Sequence, residues 1–388
     1  MNALPMAPQS DALERFSIHV EDAVWDDLRR RLAATRWPDQ VVGADWDYGA
    51  ELAYVRELCA YWRDVYDWRA AERELNRYEH YRTSIDGQRI HFLHAPSRHK
   101  DALPLLISHG WPGSIAEFMD VIEPLRDPEA YDGRKEDAFH VVCPSLPGYG
   151  FSEPTRTRGW DPARIADAFA VLMQRVGYAR YGAQGGDWGA LVTSLIGLND
   201  AAHVVGIHTN MPLAVPADTG ELSDAEKADL AVMAQWQDQE AGYQRIQGTK
   251  PQTLGFGLMD SPAGLAAWII EKFRSWSDCG GHPESAISRD RLLTNIAIYW
   301  ATGTITSSTR LYYETFRSQR MDFFAKKVTV PTGVARFQKE IMRFPRKWVE
   351  QRYNVTHWSE MPRGGHFAAM EQPALFVEDV RRFFRTVR

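Results

Sequence analysis

The segment Gln184-Gly185-Gly186-Asp187-Trp188-Gly189 places small residues two positions before and two positions after a central carboxylate. It joins an expected strand, Arg180–Gln184, directly to an expected helix, Asp187–Leu198. That spacing builds a tight strand-to-helix turn that lifts one side chain above the sheet, the nucleophile-elbow pattern. Glycine is needed where a Cβ would collide across such a turn. The raised residue is aspartate rather than serine, and helix N-terminal amides keep a carboxylate there ionised. A helix cap in a Gly-rich turn would use the same residue type, so catalysis requires partners elsewhere in the chain.

Two further segments offer them. His109-Gly110-Trp111-Pro112-Gly113-Ser114 follows the apolar run Pro104–Ser108, and a loop in that place can turn a backbone N–H toward an oxyanion. The expected donors are the amides of Trp111 and Trp188, since Pro112 has no N–H. An ordinary Gly-Pro turn is the alternative. Late in the chain, Arg363-Gly364-Gly365-His366-Phe367 presents the last of twelve histidines after the last expected strand, the place of a catalytic base in this chain order. A base needs an acid to fix its tautomer and stabilise its cation. After the strand Lys327–Val334, Glu340 comes first and Glu350 second, the latter in the charged helical stretch Arg346–Tyr353. Asp187, Glu340 and His366 then follow in the order nucleophile, acid, base.

A carboxylate nucleophile defines the reaction class. Its attack on an sp³ carbon gives an alkyl ester, which water must hydrolyse at the protein's own carbonyl carbon. The oxyanion donors serve that second step, and His366 activates the water. The substrate must carry an epoxide or a carbon–halogen bond. Epoxide opening generates an alkoxide that needs an acid, and a phenol is a neutral donor near neutral pH. Halide departure needs N–H donors such as Trp or Asn side chains, and Trp111 stands where a dehalogenase can carry one. For the acids the sequence offers Tyr243 and Tyr312, two of fifteen tyrosines that spacing alone does not single out. A haloalkane dehalogenase and a non-catalytic ligand-binding homologue are the competing readings.

These residues need a scaffold. From Ile85 onward strands alternate with helices: Arg89–His94, Pro104–Ser108, Phe139–Cys143, Arg180–Gln184 and Val204–Thr209, with Ile115–Leu125, Ala163–Val176 and Asp187–Leu198 between them. Alternation of this kind predicts an α/β fold with a mostly parallel sheet covered by helices on both faces. Residues 211–321 read as aromatic-rich helices and loops, a cap over the carboxyl ends of the strands, where such sheets bind ligands. Strands return at Lys327–Val334 and Val355–Trp358, and the helix Pro373–Phe384 follows. The first eighty residues read as helices and loops. Glu21–Thr35 spaces Val24, Leu28 and Leu32 helically until Trp37-Pro38 ends it, and Trp68–Tyr78 is a second helix. Arg29–Arg31, beside Asp26 and Asp27, reads as a solvated face. The expected division is an arm at 1–84, core at 85–210, cap at 211–321 and core again at 322–388.

Composition narrows the partners. A chain of 388 residues, 44% hydrophobic and 25% charged, is an ordinary globular protein of two to three domains by length. Its net charge of −6 offers nothing to a phosphate backbone, so nucleic acid is not expected. Cys59, Cys143 and Cys279 form no disulfide framework or metal pair, which points to a reducing, cytoplasmic compartment. Met1–Arg15 has no signal-peptide pattern, and apolar stretches such as Ala102–Ile107 and Gly264–Ile270 are too short to span a bilayer. Of the 14 Trp, 15 Tyr and 17 Phe, many are expected to line an apolar pocket between core and cap.

Taken together the residues resemble the microsomal-type epoxide hydrolase family, in a soluble bacterial form, with the α/β-hydrolase fold. The resemblance spans most of the chain. It rests on Leu28-Arg29-Arg30-Arg31-Leu32, Thr35-Arg36-Trp37-Pro38, the His109–Ser114 and Gly185–Gly189 motifs, Gly242-Tyr243, Thr249-Lys250-Pro251, Asp260-Ser261-Pro262 and Glu271-Lys272-Phe273. Tyr299-Trp300, Gly303–Ser308 and Arg363–Ala369 complete it. It implies Asp187 as nucleophile, Glu340 as charge-relay acid, His366 as water-activating base, Tyr243 and Tyr312 as the acids on the epoxide oxygen, and Trp111 and Trp188 as oxyanion donors. It also implies a cofactor-free reaction that yields vicinal diols, and a homodimer. The amino-terminal arm, with Trp25, Trp37 and Trp46, would wrap the core or a partner subunit. Membrane-bound relatives carry an amino-terminal anchor and this sequence shows none, so a soluble apolar or aromatic epoxide is expected. A tailoring step in secondary metabolism, such as enediyne antibiotic biosynthesis, fits that expectation.

Overall fold

The computed structural model describes residues 11–318 and 326–388. Nine strands run through it: β1 (Glu14–Phe16), β2 (Glu79–Ile85), β3 (Gln88–Ala95), β4 (Leu103–Ser108), β5 (Phe139–Pro144), β6 (Tyr181–Gly185), β7 (Val204–Thr209), β8 (Val328–Arg336) and β9 (Tyr353–Glu360). They form one sheet in the order β1-β2-β3-β5-β4-β6-β7-β8-β9. The pairs β1/β2, β2/β3 and β3/β5 are antiparallel, and every pair from β5 to β9 is parallel. Leu105, Leu106 and Ile107 of β4, Val141 and Val142 of β5 and Ile207 of β7 are fully buried, as continuous apolar runs must be when helices cover both faces of a parallel sheet. Asp187–Asn199 packs beside Pro162–Val176, and Pro373–Phe384 packs beside Met119–Arg126.

Register brings the sequence motifs together. Ser108, the last residue of β4, pairs with Gly185, the last of β6, so the loops that follow carry Trp111 and Asp187 toward each other. The loops after β8 and β9 are joined by a parallel bridge between Lys339 and Gly365, which sets Glu340 beside His366. The insertion between β7 and β8 contains the helices Asp224–Gln239, Gly242–Thr249, Pro251–Asp260, Pro262–Trp276, Arg289–Thr302 and Ile305–Phe316. Its expected end at Met321 lies outside the described residues. No single described helix is long and apolar enough to cross a membrane.

The amino-terminal stretch differs from the expectation of helices and loops. It holds β1, β2 and a third helix, Leu52–Asp64, besides Asp22–Ala33 and Trp68–Leu75. The expected boundary after residue 84 falls inside β2. This strand pairs with β3 residue by residue across Asp86-Gly87, whose positive φ values of 51° and 73° suit the tight hairpin turn that an Asp-Gly pair favours. The strand buries the polar His80 and Thr83 beside Ile85, which hides its alternation. The helices Asp22–Ala33 and Leu52–Asp64 both pack on Pro262–Trp276 and bury Trp25, Leu28, Leu32, Leu58 and Trp62. The expected helix Ile115–Leu125 is a 3₁₀ turn, Ile115–Phe118, running into the α-helix Met119–Arg126.

Candidate active site

Asp187 has φ 50°, the left-handed region that costs a non-glycine residue about 1–2 kcal/mol. The surrounding glycines hold it there. A Cβ on Gly185 would overlap the Gly189 carbonyl, and one on Gly189 would overlap the Ser108 carbonyl at the end of β4. A Cβ on Gly110 would overlap the Asp187 side chain itself. Glycine at these positions lets β4, the elbow and the helix Asp187–Asn199 approach at backbone contact. Gly189→Ala is therefore expected to lower stability by about 1–3 kcal/mol, because the obstructing atom is main chain, and to lower activity with it. Thermal unfolding measures the first; an unchanged Tm would contradict this packing.

The carboxylate is held from two sides. The Trp111 backbone N–H donates to Asp187 Oδ1 at 2.8 Å, while His366 Nε2 lies 3.3 Å from Oδ2. His366 Nδ1 lies 2.7 Å from Glu340 Oε1, which also accepts the Ile341 N–H at 2.7 Å. His366 and Glu340 are buried. Burial opposes a charged imidazole, yet the Glu340 charge and the contact with Asp187 hold His366 well above the ordinary histidine range. Glu350 sits on the helix Arg346–Arg352 and pairs with Arg346 at 2.7 Å; it takes no part in this chain of contacts. The Trp188 amide lies in the first turn of Asp187–Asn199, where helix N–H groups have no intrahelical acceptor.

Tyr243, on the helix Gly242–Thr249, and Tyr312, on the helix Ile305–Phe316, meet over this centre. The Tyr243 ring stacks on the Trp111 indole, with centroids 5.1 Å apart and planes 10° apart. Tyr312 stands edge-on to Trp111 at 5.9 Å, to Trp188 at 4.7 Å and to Tyr243 at 5.8 Å. Burial, with the nearby Asp187 charge, pushes both phenols above their ordinary range, so both are neutral O–H donors at physiological pH. The Gln244 side chain donates to Tyr243 Oη at 3.2 Å. All seven residues singled out in the sequence thus belong to one cluster.

The roles of four supporting residues were not legible in the sequence. Trp276, at the end of Pro262–Trp276, packs 5.1 Å from His366 and 5.2 Å from Tyr243, and its carbonyl accepts the His366 N–H at 3.0 Å. Glu371 is buried and accepts the amides of Gly365 and Phe367, which flank His366, at 2.9 Å each, and that of Asp278 at 2.7 Å. Burial raises its carboxyl to about 7 despite these bonds. Asn295 donates to the Pro112 carbonyl and Tyr299 to that of Gly113, each at 2.7 Å, and tie the loop after β4 to the helix Arg289–Thr302. Among the described residues, His99, Asp127 and Glu129 have ligand atoms close enough for a metal ion, but Arg98 already pairs with both carboxylates at 3.0 and 2.6 Å.

A mostly parallel sheet, an elbow after β6 and a buried histidine in the loop after β9 define an α/β-hydrolase with aspartate at the elbow. Comparison with known proteins agrees and goes further. The family described as "Epoxide hydrolase N terminus" matches residues 13–118, and "alpha/beta hydrolase fold" matches residues 104–252. Epoxide hydrolase 1 of Sus scrofa is 38% identical over 98% of this chain and 90% of its own. The crystal structure of juvenile hormone epoxide hydrolase from Bombyx mori superposes with a TM-score of 0.91 at 32% identity, covering 98% of this chain and 96% of that one. The Aspergillus niger epoxide hydrolase superposes at 0.87 with 29% identity and 97% of each chain. The chain belongs to the microsomal-type epoxide hydrolase family, and it is an enzyme that hydrolyses epoxides.

Proposed function

We propose that Asp187 opens the epoxide as a nucleophile and that water, activated by His366 with Glu340, releases the diol from the resulting ester. The observation that carries this reading is the two-sided hold on Asp187: Oδ1 bound by the Trp111 amide, Oδ2 beside His366. In the first step Oδ2 bonds to a ring carbon, the carbon–oxygen bond of the epoxide breaks, and the alkoxide oxygen takes a proton from Tyr243 or Tyr312. In the second, a water oxygen bonds to Cγ of Asp187 and gives a proton to His366 Nε2. The Trp111 and Trp188 amides hold the oxyanion. The tetrahedral centre then collapses, the bond from Cγ to the alkyl oxygen breaks, and the diol oxygen takes the proton from His366. The regenerated Asp187 carboxyl keeps the second proton of the water; it gives this proton up on product release, and the tyrosinate takes one up, so that the carboxylate and the phenol are both restored.

The aromatic walls support a substrate that is apolar around its epoxide ring, and the paired phenols support an oxygen leaving group over a halide. Tyr243→Phe and Tyr312→Phe are each expected to slow ester formation by about 10- to 100-fold, the size of one hydrogen bond to a developing charge. The double variant is expected to lose about 10²–10⁴-fold, the reach of general acid catalysis. Stopped-flow tryptophan fluorescence during styrene oxide turnover measures these rates. A double variant that still opens styrene oxide at the wild-type rate would remove the two phenols from the acid role, and halide release from a haloalkane that survives the double substitution would support the dehalogenase chemistry.

A further inference from the structure

A small cavity lies against Asp187, lined by Glu117, Gln184, Gly186, Asn210 and His366. Its volume is about 20 Å³, room for one water molecule. Tyr243 and Tyr312 do not line it. Phe118, Phe367 and Phe376 also line it, and its polar members are placed in a way that packing alone does not require. Gln184 is 1% exposed, its Nε2 donates to Asn210 Oδ1 at 3.2 Å, and its Oε1 has no partner. Leaving a buried amide oxygen without a donor is unfavourable, so a ligand with an O–H is expected to meet it. Glu117, in the turn Ile115–Phe118, reaches the same space. Gly113 makes the room, since a Cβ there would overlap Glu117 Oε1, and the Gly110 backbone N–H donates to the Glu117 carboxyl.

We propose that this cavity is the seat of the hydrolytic water, and that Glu117 and Gln184 hold that water against Asp187 Cγ for His366. The inference rests on the two-step reading above. The water gives one hydrogen to His366 Nε2 as its oxygen bonds to Cγ, and the second points to Gln184 Oε1 or the Glu117 carbonyl oxygen. The lone pair that attacks is thereby aimed at the ester. Burial, with Asp187 close by, raises the Glu117 carboxyl to about 8, although His366 and the Gly110 amide oppose the shift. Tyr299 and Cys143 are further titratable groups beside Glu117. A neutral carboxyl offers one donor and one acceptor and adds no second negative charge beside Asp187. Glutamine has the same shape and the same donor–acceptor pair; leucine has neither.

The two half-reactions separate this role from a structural one. Wild type, Glu117→Gln and Glu117→Leu are each mixed in excess with styrene oxide, and the Asp187 ester is followed by intact-protein mass spectrometry. Glu117→Gln is expected to form and hydrolyse the ester within about threefold of wild type. Glu117→Leu is expected to form it at the wild-type rate and hydrolyse it about 10²-fold more slowly, the cost of a misplaced reactant, so that ester accumulates. Gln184→Leu carries the same expectation should Glu117→Leu not fold. Hydrolysis at the wild-type rate in the leucine variants would overturn the inference, as would equal losses in both half-reactions. If wild type itself forms no ester, the two-step reading fails and this inference with it.

Discussion

Asp187→Ala is expected to lower kcat by about 10⁴-fold or more, the scale on which removing a nucleophile abolishes a concerted catalytic unit. No other described carboxylate has the same setting. Asp187 alone is lifted by the elbow, bound at one oxygen by the Trp111 amide at 2.8 Å and placed 3.3 Å from His366 at the other. Alanine removes the attacking oxygen and leaves the Trp111 amide without its acceptor. It also occupies a left-handed backbone position, which asparagine tolerates better, so Asp187→Asn provides the control for folding. Both variants are expected to unfold near the wild-type temperature and to form no mass adduct with styrene oxide. Diol production within tenfold of wild type in either would place the nucleophile elsewhere.

His366→Gln is expected to separate the two steps. Ester formation needs Asp187 and the phenols, whereas ester hydrolysis needs the base, whose loss costs about 10²–10⁴-fold. The variant should therefore show stoichiometric alkylation of Asp187 followed by slow diol release. The electrostatics give the pH dependence. In the resting enzyme burial disfavours the imidazolium, but Glu340 and Asp187 together hold His366 well above its ordinary range. Alkylation neutralises Asp187 and removes its share of that support, so the His366 pKa falls when a free base is needed. Hydrolysis in wild type should then rise with pH as His366 loses its proton, and the glutamine variant should lose that rise. Quench-flow over a pH series with mass spectrometry checks both features. Wild-type diol release from His366→Gln, or an unmodified Asp187, would contradict the assignment.

The parts of the site that sterics dictate were legible in the sequence. The glycines around Asp187 and Gly110 mark places where backbone or a side chain leaves no room for a Cβ, and residue type reveals that directly. The sheet strands were legible because burial on both faces favours short apolar runs, as at Leu105–Ile107 and Val141–Val142, and Val204–Thr209 has the expected bounds. Strand β2 was missed because its Glu79, His80, Arg82 and Thr83 look like loop residues, and only the Asp86-Gly87 pair signals the hairpin. Nothing in the spacing distinguishes Tyr243 and Tyr312 from thirteen other tyrosines; they matter because separate helices bring them to the faces of Trp111 and Trp188. No motif in the sequence singles out Glu117 or Glu371, and only the fold shows the first against a cavity beside Asp187 and the second gripping the amides on either side of His366.

The covalent role of Asp187 is tested most directly by one turnover of styrene oxide, with enzyme in excess, in water labelled with heavy oxygen. The first diol should be unlabelled, because its new oxygen comes from the Asp187 carboxylate, and the label should appear in the peptide that contains Asp187. Label in the first diol with none in Asp187 would mean that water attacked the epoxide directly, and would contradict the ester mechanism.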